Sequence, residues 1–398
     1  MNRLSGAMLA LGLALAVGAR AQAPVAPAIP PDLSQTPPVL SQTATVRPAE
    51  INRLWALVPP EGAVLDPNDP ATLALRAAAQ RYAGMSWSSL PPGRALRLGA
   101  SGPAVLALRE RLQAEGYGPA IAPADPNLFD ADLAAALASY QFRHGLEPDG
   151  VLGKAVRAEL DIPPAARVAQ IEANLERARW LPAVMPADRL EVDIASAEAV
   201  LYQGGQASLT MRVVVGDTKH ETPIFASALE TVVINPPWNV PLSITKAELM
   251  PREAREPGYL AKHDFVWANG RLVQAPGPEN SLGQVKFDLD SPFGVYLHDT
   301  PAKSAFARPR RALSHGCMRL EKPRELAVAL LKAQGWDDAA IAAAIAKGDT
   351  RRVDLDQHLP LFVVYRTVVP DVMGGVLFRP DVYGWDAELA AWLEGRTP

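Results

Sequence analysis

The chain has 398 residues, of which 48% are hydrophobic, and its formal net charge at pH 7 is -4. A chain of this length usually divides into two or three domains. The weakly acidic balance argues against a nucleic-acid partner, since nucleic-acid-binding proteins normally carry a basic patch or stripe. Cys317 is the only cysteine, so no disulfide can form within the chain, and an isolated thiol needs another explanation.

The first residues have the pattern of a secretory signal peptide. A charged start at Arg3 is followed by an apolar run over residues 7–17 and by small residues that predict cleavage after Ala21 or Ala23. We therefore assign residues 1–23 to a signal peptide and expect an exported protein. The run is shorter than the roughly 20 residues that cross a bilayer comfortably, so an uncleaved anchor is the alternative and the mature protein is expected to have no membrane span.

Two segments precede the first predicted domain. Residues 24–48 are rich in Pro, Ser, Thr and Gln, a composition that cannot bury a core and that predicts an extended linker. Residues 49–95 have the apolar spacing of short amphipathic helices, with Leu75 and Tyr82 on one such face. We assign this second segment to an N-terminal helical scaffold without chemistry of its own.

Residues 96–162 predict a module of three helices. The first helix begins at Pro103, since proline fits the first turn of a helix, the second begins near Asp130, and the third covers residues 153–160. Residues 163–186 predict a helix that links this module to the rest of the chain.

Past residue 187 the hydrophobic period changes from about 3.6 to 2, which is typical of short strands. Residues 187–398 therefore predict a β-rich domain. Residues 241–280 show no clear strand pairing, and such a long excursion in a compact domain is uncommon unless it acts as a lid, so we predict an inserted cap. Strands are expected to resume at residues 284–287 and 294–298. The predicted fold class is α+β and multidomain, with a helical module followed by a mostly-β domain.

Cys317 has two interpretations. A free cysteine is often a small buried hydrophobe. Here Ser314, His315, Gly316 and Arg319 surround it, which predicts a polar loop. A nearby imidazole or cation raises the fraction of thiolate, so these neighbours favour a nucleophile.

His298 is the candidate general base. It ends a predicted strand two residues after Tyr296, so both side chains share one face. The intervening residues 299–313 are enough for a loop that returns Cys317 to the strand end, where a base must lie within about 3 Å of the thiol. A backbone carbonyl is expected to orient His298, because Asp299 points to the opposite face and a Cys-His-Asp triad is therefore disfavoured.

Two stretches resemble known families. YQFRHGLEPDG, residues 140–150, resembles the peptidoglycan-binding domain type 1. SHGCMR, residues 314–319, together with His298 resembles the signature of the L,D-transpeptidases, whose catalytic domain is of the YkuD type. The resemblance fits the larger Gram-negative subgroup, which has a peptidoglycan-binding-like module and a capping insertion, and it extends to residues 174–182, 213–216, 222–223, 276–283 and 381–384 and to the loop of Trp238.

The resemblance implies a periplasmic enzyme that forms 3-3 (diaminopimelate–diaminopimelate) cross-links. Cys317 attacks the carbonyl before the terminal D-alanine of a tetrapeptide stem, and His298 carries the proton. The N–H groups of Gly316 and Cys317 stabilise the oxyanion. The amine of a second stem resolves the thioester, so donor and acceptor stems are the expected partners and no cofactor or metal is required. The implied substrate-binding residues are His315, Arg319, Ser314, Tyr296 and Trp238, with Arg311 as a further candidate ligand for a carboxylate.

Several alternatives stay open at this point. His298, His315 and Cys317 are also possible zinc ligands of a peptidoglycan peptidase, although no further ligand follows at a fixed spacing. A catalytically silent wall-binding protein is a second alternative. Within the enzyme class, the acceptor is a stem, a lipoprotein or water. The helical module either contacts glycan or only supports its neighbour, and the oligomeric state is open.

Overall fold

The computed structural model describes residues 65–118, 122–291, 293–372 and 374–395. The predicted signal peptide, the predicted linker and the first part of the predicted scaffold lie outside these residues. Within the described part of the chain, no helix is both long enough and apolar enough to cross a bilayer.

The N-terminal half of the described chain is helical. The carboxylate of Asp69 caps the first helix by accepting the N–H of Thr72 at 2.7 Å, and Asp130 caps the third by accepting the N–H of Leu133 at 2.8 Å. The helices are α1 (Pro70–Ala83), α2 (Pro103–Ala114), α3 (Ala131–Arg143), α4 (Lys154–Leu160) and α5 (Pro164–Arg179).

Helices α2, α3 and α4 form the predicted three-helix module. Each begins where the sequence predicted it, at Pro103, after Asp130 and after Gly153. The apolar faces of the three helices meet in one core of their own, because each presents residues at helical spacing to the others. The buried members of that core include Val105, Leu108, Leu112, Leu133, Leu137, Tyr140, Val156 and Leu160.

The second half of the chain is built on a nine-stranded sheet in the order β10-β3-β11-β9-β8-β4-β12-β1-β2. A further pairing of β3 with β2 closes this sheet on itself. The strands are β1 (Arg189–Asp193), β2 (Glu198–Gln203), β3 (Gln206–Gly216), β4 (Phe225–Ile234), β5 (Trp238–Asn239), β6 (Phe265–Ala268), β7 (Arg271–Gln274), β8 (Val285–Leu289), β9 (Leu297–His298), β10 (Ala312–Ser314), β11 (Met318–Leu320), β12 (Arg351–Val364), β13 (Val368–Pro370) and β14 (Val376–Phe378).

The helical module packs against the β-rich half through the hairpin of β13 and β14. The His144 ring stacks against Tyr140 of the module, 3.9 Å between centroids, and against Phe378 of β14, 5.0 Å away. Arg143 forms an ion pair with Asp371 at 2.9 Å. The face of the module that carries His144 is therefore an interface between domains.

The centre of the sheet brings the two motif stretches together. Strands β9 and β11 run parallel, with Arg319 opposite His298, and Lys286 of β8 lies opposite His298 on the other side. The predicted strand over 294–298 is too long, since only Leu297 and His298 are in β9. Gly294 has a φ of 66°, and this left-handed residue turns the chain before the strand begins.

An inserted cap follows β4, as predicted, but the prediction that it lacks strand pairing is wrong. Strands β5, β7 and β6 form a three-stranded sheet. Only Phe265 of β6 is buried, so this strand lacks the alternation by which strands are predicted. The cap has a core of its own, which includes Val240, Leu249, Tyr259, Leu260, Phe265 and Leu272.

The remaining helices lie in the cap and after the motif. In the cap they are α6 (Leu242–Ile244), a π-helical turn (Thr245–Leu249), α7 (Met250–Arg255) and α8 (Tyr259–Lys262). After β9 there follow a 3-10 turn (Lys303–Ala307), α9 (Pro323–Leu331), a second 3-10 turn (Lys332–Gln334), α10 (Asp338–Lys347) and α11 (Trp385–Leu393).

Candidate active site

A cleft of about 490 Å³ lies between the sheet and the cap. Its floor is formed by Tyr296, His298, Cys317 and Arg319, which come from the two neighbouring strand ends. Its other walls include residues of the motif loop and of the cap: Trp238, Ile244, Glu248, Arg252, Tyr259, His263, Ser314 and His315. Residues predicted from separate stretches of sequence thus line one cavity.

His298 is buried, and a backbone carbonyl orients it, as predicted. Its Nδ1–H donates to the carbonyl of Asp299 at 2.5 Å, which leaves Nε2 without a proton. The Asp299 carboxylate instead accepts the N–H groups of Gln284 and Thr300, at 2.9 and 2.7 Å, so it is not part of a triad. Burial first, and then the charge of Arg319, lower the pKa of His298 to about 3. The imidazole is therefore neutral at physiological pH and ready to accept a proton.

Cys317 is only partly exposed and packs against the main hydrophobic core. Burial raises the pKa of its thiol above the ordinary value, although hydrogen bonding with Tyr296 and the charges of Lys286 and Arg319 lower it. The neighbouring cations thus act in the expected direction, but the cost of burying a charge is larger than their effect. The thiol keeps its proton at rest and must lose it as it attacks.

The loop that carries Cys317 is held by its own polar groups. The Ser314 hydroxyl donates to the carbonyl of Cys317 at 2.6 Å and accepts the N–H of Gly316 at 3.2 Å. Ser314 is buried at the wall of the cleft, and its hydroxyl is already engaged with the backbone of its own loop. The N–H of Gly316 is likewise engaged, whereas no hydrogen bond among the described residues uses that of Cys317. Gly316 has a φ of 102°, a backbone conformation that glycine adopts readily and residues with a side chain rarely do.

Thr222 and Tyr383 brace this loop from outside the motif. The Thr222 hydroxyl donates to the carbonyl of Gly316 at 2.8 Å and accepts the N–H of Gly216 at 2.8 Å. The Tyr383 hydroxyl donates to the carbonyl of Gly216 at 2.7 Å. Sequence reasoning included both residues in the wider resemblance but gave neither a role, because no local pattern joins positions so far apart in the chain.

Replacing Thr222 by valine should destabilise the loop, since valine keeps the shape but leaves two buried backbone groups without partners. We expect a loss of about 1–3 kcal/mol in the free energy of unfolding, measured with urea. Thr218, which is exposed, provides the matched control, and Thr218→Val should cost less than about 0.5 kcal/mol. Equal losses in the two variants would show that the bracing contacts contribute nothing.

Two predicted ligands differ in their surroundings. His315 lines the cleft, and its Nε2 lies 2.6 Å from Glu248 of the cap, so this pair joins the motif loop to the cap. Arg311 lies elsewhere: its guanidinium donates to the carbonyl of Ser196 at 2.8 Å. Arg311 is therefore not among the residues that line the cleft. Arg319 does line the cleft, and its buried Nε has no partner among the described residues.

The zinc alternative requires at least three ligands around one point. In the described part of the chain, no group of three His, Cys, Asp or Glu side chains is arranged to hold a metal ion.

A thiol and a neutral imidazole that line one covered cleft form the class of site used for nucleophilic catalysis. Residues 187–348 match the family model of the L,D-transpeptidase catalytic domain (YkuD), and residues 101–160 match that of the "Putative peptidoglycan binding domain". The two matches fall on the stretches in which the sequence shows its two resemblances, so both resemblances are confirmed over these residues. The α+β fold class is confirmed as well.

Among similar proteins, the "Putative L,D-transpeptidase" of Haemophilus influenzae is 32% identical over 241 residues, which are 55% of this chain and 48% of that protein. The chain thus spans about half the length of this curated relative. An L,D-transpeptidase structure from Xylanimonas cellulosilytica is 15% identical, with 69% of this chain and 98% of that chain covered and a TM-score of 0.22. One from Mycobacterium smegmatis is 16% identical, with 44% and 58% covered and a TM-score of 0.24. Superpositions at such TM-scores do not define a shared fold.

Proposed function

We propose that this protein is a periplasmic peptidoglycan L,D-transpeptidase that forms 3-3 cross-links through a thioester on Cys317. The observation that carries the proposal is the meeting of Cys317 and a neutral, oriented His298 in one capped cleft of a catalytic domain of this family. The predicted signal peptide supports export, and the peptidoglycan-binding domain supports a polymeric cell-wall substrate.

Acylation follows from the protonation states of the two groups. As the Cys317 sulfur attacks the carbonyl carbon before the terminal D-alanine of a donor stem, Nε2 of His298 accepts the thiol proton. The imidazolium then returns this proton to the amine of D-alanine as the C–N bond breaks. Because burial lowers the pKa of His298, its imidazolium form is unstable and returns the proton readily.

The oxyanion of the tetrahedral intermediate requires a hydrogen-bond donor at the loop. The N–H of Cys317 is the suitable donor, because it is not used within the described structure. The N–H of Gly316, the other donor that the resemblance implies, donates to the Ser314 hydroxyl at 3.2 Å in this structure.

The charges of the cleft suit stems that carry both amines and carboxylates. Glu248 and Glu279 offer carboxylates to the amine of an incoming diaminopimelate, and Arg252 and Arg319 offer guanidinium groups to stem carboxylates. Attack of that amine on the thioester releases Cys317 and leaves an amide between the two stems. His298 again accepts and returns the proton.

The test is incubation of purified disaccharide tetrapeptide with the wild-type protein and with Cys317→Ala, followed by mass spectrometry. We expect the wild type to release D-alanine and form a cross-linked dimer, and the variant to form none. A dimer made by Cys317→Ala, or activity that a chelator removes along with stoichiometric zinc, would overturn the proposal. Release of D-alanine without a dimer would identify water as the acceptor instead.

A further inference from the structure

Lys286 lies behind the reacting groups rather than in the cleft itself. It is directly opposite His298 in the pairing of β8 with β9, so both side chains stand on the same face of the sheet. Its Nζ lies 4.3 Å from the centroid of the Tyr296 ring, and its side chain is 22% exposed. Lys286 is not among the residues that line the cleft, so it is not placed to touch a substrate, but its charge lowers the pKa of the Cys317 thiol.

Tyr296 contacts the ammonium of Lys286 and lines the cleft together with Cys317 and with Trp238 of the cap. The interaction with Tyr296 is also among the causes that lower the pKa of the Cys317 thiol against the effect of burial. Burial and the proximity of Cys317 raise the pKa of Tyr296, so its hydroxyl keeps its proton and can donate it to sulfur. Tyr296 thus contacts Lys286 and lines the same cleft as the thiol.

We propose that Lys286 is a positioning residue that holds Tyr296 against the sulfur of Cys317 and stabilises the negative charge that develops there. An ammonium against an aromatic ring is attracted to its π-electrons, which fixes the ring without touching the substrate. The proposal rests on Cys317 being the nucleophile of the proposed function.

Asp288 moderates the charge of Lys286. Its carboxylate lies 2.5 Å from Nζ of Lys286 and 2.8 Å from the guanidinium of Arg352. The three side chains together therefore have a net charge of +1. Removing the carboxylate leaves two cations uncompensated behind Tyr296, whereas removing Lys286 leaves none in excess. Substitutions of the two ion-pair partners, Lys286 and Asp288, are therefore expected to have opposite effects on the pKa of the Cys317 thiol.

Other charged or titratable groups also face the thiol, and all are unchanged in the variants below. They are His298 and Arg319 of the sheet, His315 of the motif loop, Glu248, Arg252, Tyr259 and His263 of the cap, and Glu279 of the loop that follows it.

The experiment measures the rate at which iodoacetamide alkylates the full-length protein between about pH 6 and about pH 10, where thiols ionise. Cys317 is the only cysteine, so the rate reports on this sulfur alone. In Lys286→Met we expect alkylation at pH 7 to fall about three- to tenfold and the pH profile to move to higher pH, because a nearby cation is lost. Lys286→Arg, which keeps the charge, should restore most of the rate.

Asp288→Asn should have the opposite effect to Lys286→Met, because it removes the carboxylate that partly neutralises Lys286. We expect alkylation at pH 7 to become faster and the pH profile to move to lower pH. A merely structural role would slow both variants or leave both profiles at the wild-type position, and either result would overturn the proposal. So would a failure of Lys286→Arg to restore the rate. Alkylation requires no peptidoglycan, so a shifted profile without cross-linking would reject the proposed function alone, and cross-linking with unshifted profiles would reject only the role of Lys286.

Discussion

Replacing His298 by glutamine is expected to lower the rate of D-alanine release from a tetrapeptide by about 10²–10⁴-fold, the usual contribution of a positioned acid–base group. The glutamine amide can still donate an N–H toward the carbonyl of Asp299, which His298 contacts at 2.5 Å, so the local structure is retained. It has no atom that accepts the thiol proton at neutral pH. The measurement is single-turnover release of D-alanine at pH 7.

A matched control is available at His358, whose side chain is 58% exposed and lies outside the cleft. His358→Gln should leave the rate unchanged within about twofold, as expected for a surface substitution. A rate for His298→Gln within tenfold of the wild type would show that another group accepts the proton.

The pH dependence follows from the same burial. The pKa of His298 is lowered from 6.5 to about 3, so the neutral, proton-accepting form persists as the pH falls and is lost only near that lower value. Acylation by the wild type should therefore not show an acid limb centred near 6.5. A fall in the acylation rate centred near pH 6.5 would contradict the assignment of a buried neutral base, provided that the alkylation rate of Cys317 shows no such fall.

The helical module was predictable because its signals are local. Pro103 and Asp130 mark helix starts by their own chemistry, and the apolar residues that follow repeat at helical spacing. The strands of the cap were not predictable in the same way. Phe265 is the single buried residue of β6, so the strand exists through its pairing with β7 and not through a pattern of its own.

The chemistry of the site was also predictable, but its energetics were not. Cys317 and His298 are recognisable as residue types, and a carbonyl as the partner of His298 follows from strand geometry. Whether the thiol is ionised depends on how deeply the core surrounds it, and the polar sequence around Cys317 does not reveal that burial. The engagement of Ser314 and the bracing by Thr222 likewise arise from contacts that form only in the folded chain.

Removing the guanidinium of Arg177 is expected to destabilise the folded protein by about 3–5 kcal/mol, since it leaves a buried carboxylate without its partner. Arg177 of α5 is buried, and its Nη1 lies 2.5 Å from Asp386 of α11. Its guanidinium also lies 4.9 Å from the centroid of the Tyr365 ring. The predicted linking helix is thus fixed to the β-rich half of the chain by a buried charge pair, and Arg177→Met should lower the midpoint of guanidinium unfolding strongly.

Two further variants separate the loss of the pair from the loss of one charge. Arg177→Met combined with Asp386→Leu removes both charges, and it should recover most of the stability because no unpaired carboxylate stays buried. Arg324→Met removes one member of the exposed pair with Asp338 and should cost less than about 1 kcal/mol. If the double variant is as unstable as Arg177→Met, the stabilisation comes from the packing of the arginine stem, and the charge pair only fixes how α5 and α11 meet.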